Sequence, residues 1–255
     1  MRSRICHIAG LTLALLLCSG ARLSAQSDEV ISSVPTNIVA HLQQQLITAR
    51  ERFAAEPTNH IAAWQLGRAC FAWGNLLKTP AAKEKVFREG VTACRHSLAL
   101  DAQSAPANYY LGMNIGRIAD LKRNLSAFNM VKEVERSFER ARQIDEKFSF
   151  AGPDRNLGLL YQNAPGWPLS VGDKKLARKH LQRASNLASD YPENRLNLAE
   201  AALEWKDTKL FQSELAALEK LWPHAQTNLT GPDWELDWLD WEQRLKALRQ
   251  RLNRK

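Results

Sequence analysis

Four positions in this chain carry a leucine followed by a small residue at nearly constant spacing. They are Leu66-Gly67, Leu111-Gly112, Leu157-Gly158 and Leu198-Ala199, separated by 45, 46 and 41 residues. Each pair lies early in a helical pattern and is followed by a second stretch with apolar or small residues at helical spacing: Gly90, Cys94, Ser97 and Leu100; Val134, Phe138, Ala141 and Ile144; Ala177, Leu181, Ala184 and Leu187; Phe211, Leu215 and Leu218. Turn residues separate the units at Pro57–Asn59, Asp101–Ser104 and Tyr191–Asn194. A period of this length marks stacked supersecondary units, none of which can bury its apolar face alone. A glycine inside a helix costs about 1 kcal/mol relative to alanine, so three in register make sense where two backbones approach closely. The pattern predicts helix hairpins in which the small residue of the first helix lies against one on the second, such as Gly90 or Ala177. The expected fold is all-α: stacked, elongated helix hairpins with helical end caps.

The ends of the chain fit such an array, which needs caps to cover its terminal faces. After a polar segment over 26–36, Ile38, Leu42, Leu46, Ala49 and Phe53 mark an N-terminal capping helix over 37–56. Four hairpins then fill 57–222. Residues 223–255 hold a tryptophan-rich C-terminal capping helix, in which Trp234, Trp238, Trp241, Leu245, Leu248 and Leu252 share one face. Its acids come early (Glu235, Asp237, Asp240) and its arginines late (Arg249, Arg251, Arg254), as the helix dipole favours. The stretch APGWPLSVGDKK at 164–175 cannot continue a helix. It reads as the lengthened connection of the third hairpin, with Asp173 or Ser170 capping the helix that follows.

Residues 1–25 read as a secretory signal: Arg2 and Arg4, an apolar run from Ile8 to Leu17, then small residues with cleavage expected after Ala25, or else after Ala21. The apolar run is too short to span a bilayer. Cys18 invites a lipid anchor, but a lipid-attachment site wants a small residue before the cysteine and Leu17 is large. The expected product is a soluble, secreted or periplasmic protein of 230 residues. Removing Arg2, Arg4 and Arg22 lowers the formal charge from +8 to +5. The remaining basic residues are dispersed among acids, which argues for solvated helix faces rather than nucleic acid. Cys70 and Cys94 remain, and export permits a bridge between them. If Gly67 faces Gly90, Cys70 faces Phe87 and the two cysteines stand too far apart along the helix axis for a disulfide, so two buried free thiols are expected.

Ala62-Ala-Trp-Gln-Leu66-Gly67 and Asn156-Leu157-Gly158-Leu-Leu-Tyr161 resemble the first helix of the tetratricopeptide repeat, and Ala177-x-x-x-Leu181-x-x-Ala184 resembles its second. The likeness covers about residues 60–220. The departure is length, since the usual repeat is about 34 residues, and the excess is expected between the helices of each pair. Gly152-Pro153-x-Arg155-x-Leu157-Gly158-x-Leu160, a proline-containing loop, and Gly172-Asp173-x-x-x-Ala177 resemble more narrowly the exported T component associated with TRAP transporters. That resemblance implies an all-helical, non-enzymatic scaffold acting beside another exported protein, possible partners being a solute-binding protein or a second copy of the chain.

No motif argues for catalysis, a cofactor or a metal: the histidines are scattered singly, and phosphate loop, nucleophile elbow and paired-cysteine motif are all missing. In tetratricopeptide arrays the first helices line a concave groove. The resemblance carries its positions onto Trp64, Arg68 and Phe71; Tyr109, Met113 and Arg117; Arg155, Gln162 and Asn163; and Leu196, Glu200 and Glu204. Three successive units thus offer an arginine, which pairs with a carboxylate through two parallel hydrogen bonds. The expectation is a groove for an acidic ligand or peptide, with Trp167 as a partner contact if its loop leaves it exposed. The alternatives are a carrier of a small organic acid that needs no protein partner, and arginines that merely pair with neighbouring acids.

Overall fold

The computed structural model describes residues 30–31, 33–122, 125–166 and 168–252. The expected signal region, Cys18 and Trp167 lie outside the described residues. Among the described residues ten helices follow one another: α1 (Thr36–Ala55), α2 (His60–Leu76), α3 (Pro80–Leu100), α4 (Ala105–Lys122), α5 (Leu125–Ile144), α6 (Phe148–Asn163), α7 (Lys174–Leu187), α8 (Pro192–Glu204), α9 (Thr208–Asn228) and α10 (Glu235–Leu252). From α1 to α9 each packs on its neighbour in sequence, α10 packs on α8, and α2, α4, α6 and α8 also pack side by side, so four hairpins stack as a helical solenoid. None of these helices is long and apolar enough to cross a membrane.

Local chemistry starts the helices where the sequence offers a cap. The Asn59 carboxamide oxygen accepts from Ile61 N at 2.9 Å. Thr79 accepts from Ala82 N at the start of α3, with Pro80 in the first turn where its missing N–H costs nothing. Asp173, rather than Ser170, caps α7, accepting from Lys175 N at 2.7 Å and Leu176 N at 3.1 Å. The 164–173 connection is a turn, as expected. It returns on itself through Gly172 N to Pro165 O at 2.9 Å, and a side chain at position 172 would run into the Ala164 and Pro165 backbone.

Two expectations need correction. Gly67 lies near Gly90 as expected, but other helical glycines of the hairpins meet large side chains. Gly74 receives the Phe87 ring, Gly112 the Phe138 ring and Gly158 the Leu181 side chain, while Gly67 lies against Cys94 Sγ and Gly90 O. The first helices of the first three hairpins therefore omit a side chain to seat a larger one from the partner helix. Phe87 faces Gly74, not Cys70, a register one turn from that expected; Cys70 and Cys94 are nonetheless free, and burial pushes both thiols far above their ordinary range. The extra length also lies elsewhere. Only Leu77, Lys78 and Thr79 join α2 and α3, helices of 17 and 21 residues, so the first unit is long because its helices are long. Only in the third does a ten-residue connection, 164–173, carry the excess.

Buried polar groups tie helices together both between hairpins and within one. Asn114 on α4, fully buried, donates through Nδ2 to Gly67 O at 3.0 Å and to Tyr110 O at 2.8 Å. Between α6 and α7, Asp154 is inaccessible and lies 2.7 Å from His180 Nδ1 while accepting from Arg183 Nε at 3.1 Å.

Both caps form. Ile38 and Leu46 of α1 are buried, and the preceding chain docks on the first hairpin through Ile31 N to Leu76 O at 2.9 Å. At the other end Trp241, Leu245 and Leu248 are buried against the fourth hairpin, with Trp234 and Trp238 partly buried; Leu252 stays exposed. Nothing in the sequence signals that the start of α10 meets α1. Asn37 Nδ2 donates to Glu235 at 2.6 Å, Gln45 Nε2 donates to Asp233 at 2.6 Å, and His41 Nε2 lies 2.8 Å from the same Asp233 oxygen. Leu236 packs on the apolar cluster of the first hairpin. The array closes on itself, end to end.

Candidate binding cavity and inner face

An apolar cavity of about 780 Å³ lies between the second and third hairpins, within the range usual for small-molecule sites. Gly112, Met113 and Gly116 of α4 form one wall, Ala127, Phe128, Val131, Val134 and Phe138 of α5 a second, and Leu159 and Leu160 of α6 a third; Phe71 closes one side. Its polar lining is Arg117, Asp120, Asn156 and Asn163. Of these, Asn156 is committed to the fold, donating to Tyr109 OH at 2.8 Å and to Gly152 O at 3.0 Å.

The small residues make the room. A side chain at Gly112 would strike Phe138, so that glycine is structural. Gly116, one turn later, is different: the nearest atom to its absent Cβ is Val134 Cγ2, 3.9 Å away. It lowers helix stability by about 1 kcal/mol relative to alanine and admits no neighbour in return. What it leaves is cavity.

Of the residues expected to share one groove, Arg117 and Asn163 line this cavity together with Phe71 and Met113. The Arg117 guanidinium stands 5.6 Å from the Phe71 ring centre, and its side chain is 46% exposed. The others are placed elsewhere. Trp64 stacks on Tyr110 at 6.1 Å with parallel rings. Arg68 is exposed beside His41, Gln45 and Asp233, in a shallow depression where the two ends of the array meet. Gln162 is held between α6 and the end of α8, donating to Glu204 and accepting from Trp205 Nε1 at 2.8 Å.

Tyr109 and Arg155 are buried, at 3% and 6% exposure, and lie on the inner face in a structural cluster. Ser149, Phe150 and Ala151 at the start of α6 adopt the left-handed conformation, with φ of 52°, 57° and 58°. Left-handed geometry costs a non-glycine residue roughly 1–2 kcal/mol. The Arg155 guanidinium gathers this turn, donating to Phe150 O at 3.1 Å, Ser149 O at 3.3 Å and Asn194 Oδ1 at 3.0 Å, with Tyr109 OH at 3.4 Å. The Tyr191 ring lies beneath it at 5.2 Å. Instead of facing an open groove, Arg155 is saturated by its own chain.

The inner face continues in aromatic contacts. Phe150 stacks on Tyr191 at 4.3 Å, and both meet Trp234 edge-on at the start of α10. Half-buried here is Asp237. Its carboxyl is pushed up to about 7 from an ordinary 3.8, by burial first and by the Glu193 carboxylate second, with Arg155 opposing. Between those two values the folded protein holds a proton that the unfolded chain has released, so stability falls as pH rises through 7. Asp237→Asn is therefore expected to leave the urea midpoint unchanged at pH 4 and to raise stability at pH 8 by on the order of 1–2 kcal/mol. Parallel pH–stability curves for the two proteins would remove Asp237 as the source.

The cavity was not legible in the sequence. α4 carries Gly112 and Gly116, but both α2 and α6 also carry two glycines, each against a close neighbour, so only the structure distinguishes Gly116. No protein-family model and no curated protein matches this chain.

Proposed function

We propose that this is an exported, non-enzymatic binding protein of tetratricopeptide type whose site is the apolar cavity between the second and third hairpins, and that it acts beside another exported protein. The observation that carries the reading is Gly116, a helix-weakening residue whose missing side chain is replaced by open volume. The walls are apolar, so burying the apolar body of a small ligand supplies the affinity, about 25 cal/mol per Å² of apolar surface covered. The groove envisaged across Arg68, Arg117 and Arg155 contracts to Arg117 and Asn163, with Arg155 engaged in the fold. A carrier that needs no protein partner is the second reading.

Gly116→Leu tests the site. The substitution adds a good helix former and projects four carbons into the cavity. It is expected to hold or raise stability by up to about 1 kcal/mol, while weakening a neutral apolar fluorophore, N-phenyl-1-naphthylamine, at least tenfold. Equal binding by both proteins, or no binding by either, would falsify the assignment.

A further inference from the structure

We infer that the ligand of this cavity is a monocarboxylic acid with an apolar tail, its carboxylate held by Arg117 and its tail lying between α4, α5 and α6. The inference rests on the binding reading above and adds the ligand's chemical class.

Three observations converge on it. Arg117 is the one cation among the described residues that line the cavity, and its guanidinium stands against the Phe71 ring at the edge of the apolar wall. A planar guanidinium on an aromatic face keeps its N–H edge free for a carboxylate while its flat side stays on apolar surface. Its pairing with Asp120 is loose: the contact is 3.6 Å, longer than a hydrogen bond, between residues three apart on an exposed helix face. Pairs of that kind contribute little, so a carboxylate arriving with two aligned oxygens replaces the contact at small cost.

The remaining lining suits an apolar tail rather than a polar body. Beyond Arg117 the wall passes through Gly116, Val134, Leu159 and Leu160, and Asn156 has its carboxamide nitrogen already engaged by Tyr109 and Gly152. A ligand with polar groups along its length would lose hydration against these apolar residues without gaining partners from them, which a hydrocarbon tail avoids. The Arg–Asp pair at the edge also limits the charge: a second carboxylate on the ligand would sit near Asp120.

Titration calorimetry at pH 7.5 with decanoate, 1-decanol and butanoate separates the parts of this claim. Decanoate is expected to bind at one per chain, at least tenfold tighter than 1-decanol and at least a hundredfold tighter than butanoate. Arg117→Gln is expected to bring decanoate and 1-decanol within about threefold of each other, and Arg117→Lys to retain part of the difference. Far-ultraviolet circular dichroism of both variants confirms that the helices are intact. Equal affinity for decanoate and 1-decanol in the unmodified protein overturns the carboxylate assignment while leaving the apolar cavity as the site. Butanoate binding as well as decanoate overturns the tail. Binding of none of the three, together with no uptake of the neutral fluorophore, overturns the cavity reading itself.

Discussion

Arg155→Met should lower the stability of the protein by about 3–5 kcal/mol, making it one of the most damaging single changes in the chain. The buried guanidinium supplies donors to Ser149 O, Phe150 O and Asn194 Oδ1. Methionine fills much of the volume and supplies none, so up to three buried acceptors lose a partner, at about 1–3 kcal/mol for each that water cannot reach. The left-handed turn they belong to is costly before any loss. Asn194 holds the same turn from the other side: its Nδ2 donates to Phe150 O at 3.0 Å, Ala184 O at 3.1 Å and Ala188 O at 3.2 Å. Arg155→Met and Asn194→Ala should therefore be strongly non-additive in urea denaturation, because each dismantles the same clamp. A loss below 1 kcal/mol for Arg155→Met would mean that the turn stands unaided. The same result would return Arg155 to the ligand groove.

Arg244→Met is expected to cost about 2–4 kcal/mol and to free the C-terminal cap. From α10 the guanidinium reaches Glu200 through Nε and Nη2 at 2.8 Å each, Asn197 Oδ1 at 2.5 Å, Glu193 at 3.1 Å and Asp240 at 3.0 Å. Arg244 and Glu193 are only 19% and 23% exposed, so water does not fully replace the lost contacts. Burial raises the Glu193 carboxyl, but Arg244 and Arg155 outweigh it and hold the group below its usual range. Without Arg244 that carboxylate stays in the interface with Trp241 Nε1, at 2.6 Å, as its nearest donor. Breaking a buried ion pair from one side is far costlier than never having built it. Trp241 reports the outcome, since it is inaccessible in the folded cap. Its emission should shift to the red at denaturant concentrations that leave the bulk helicity intact. A single transition seen alike by fluorescence and circular dichroism would show that the cap and the hairpins unfold together.

Three arginines show why the sequence misleads about charge in a repeat array. Arg68, Arg117 and Arg155 lie on the first helices of successive units, yet one is exposed at the junction of the two ends, one edges an apolar cavity and one is buried in the backbone of its own helix. The difference lies in what each faces. Arg155 meets Asn194, 39 residues away, and Arg68 looks across to Asp233, which approaches only because the array closes.

Local features were read directly. The Leu-small pairs announced the hairpins, the stripe from Trp234 to Leu248 announced the cap, and Asp173 was one of two residues offered to start α7, because helix periodicity and capping depend on neighbours within a turn or two. Register within a hairpin was already harder, since a one-turn slip leaves the apolar pattern intact; Phe87 came to rest on Gly74 rather than opposite Cys70. The sequence by itself thus determined the class of element, their order and their pairing. Only the tertiary structure decided the end-to-end closure, the left-handed turn held by Arg155 and the cavity over Gly116. Each depends on how small rotations between successive hairpins accumulate along the stack, and no local periodicity records that sum.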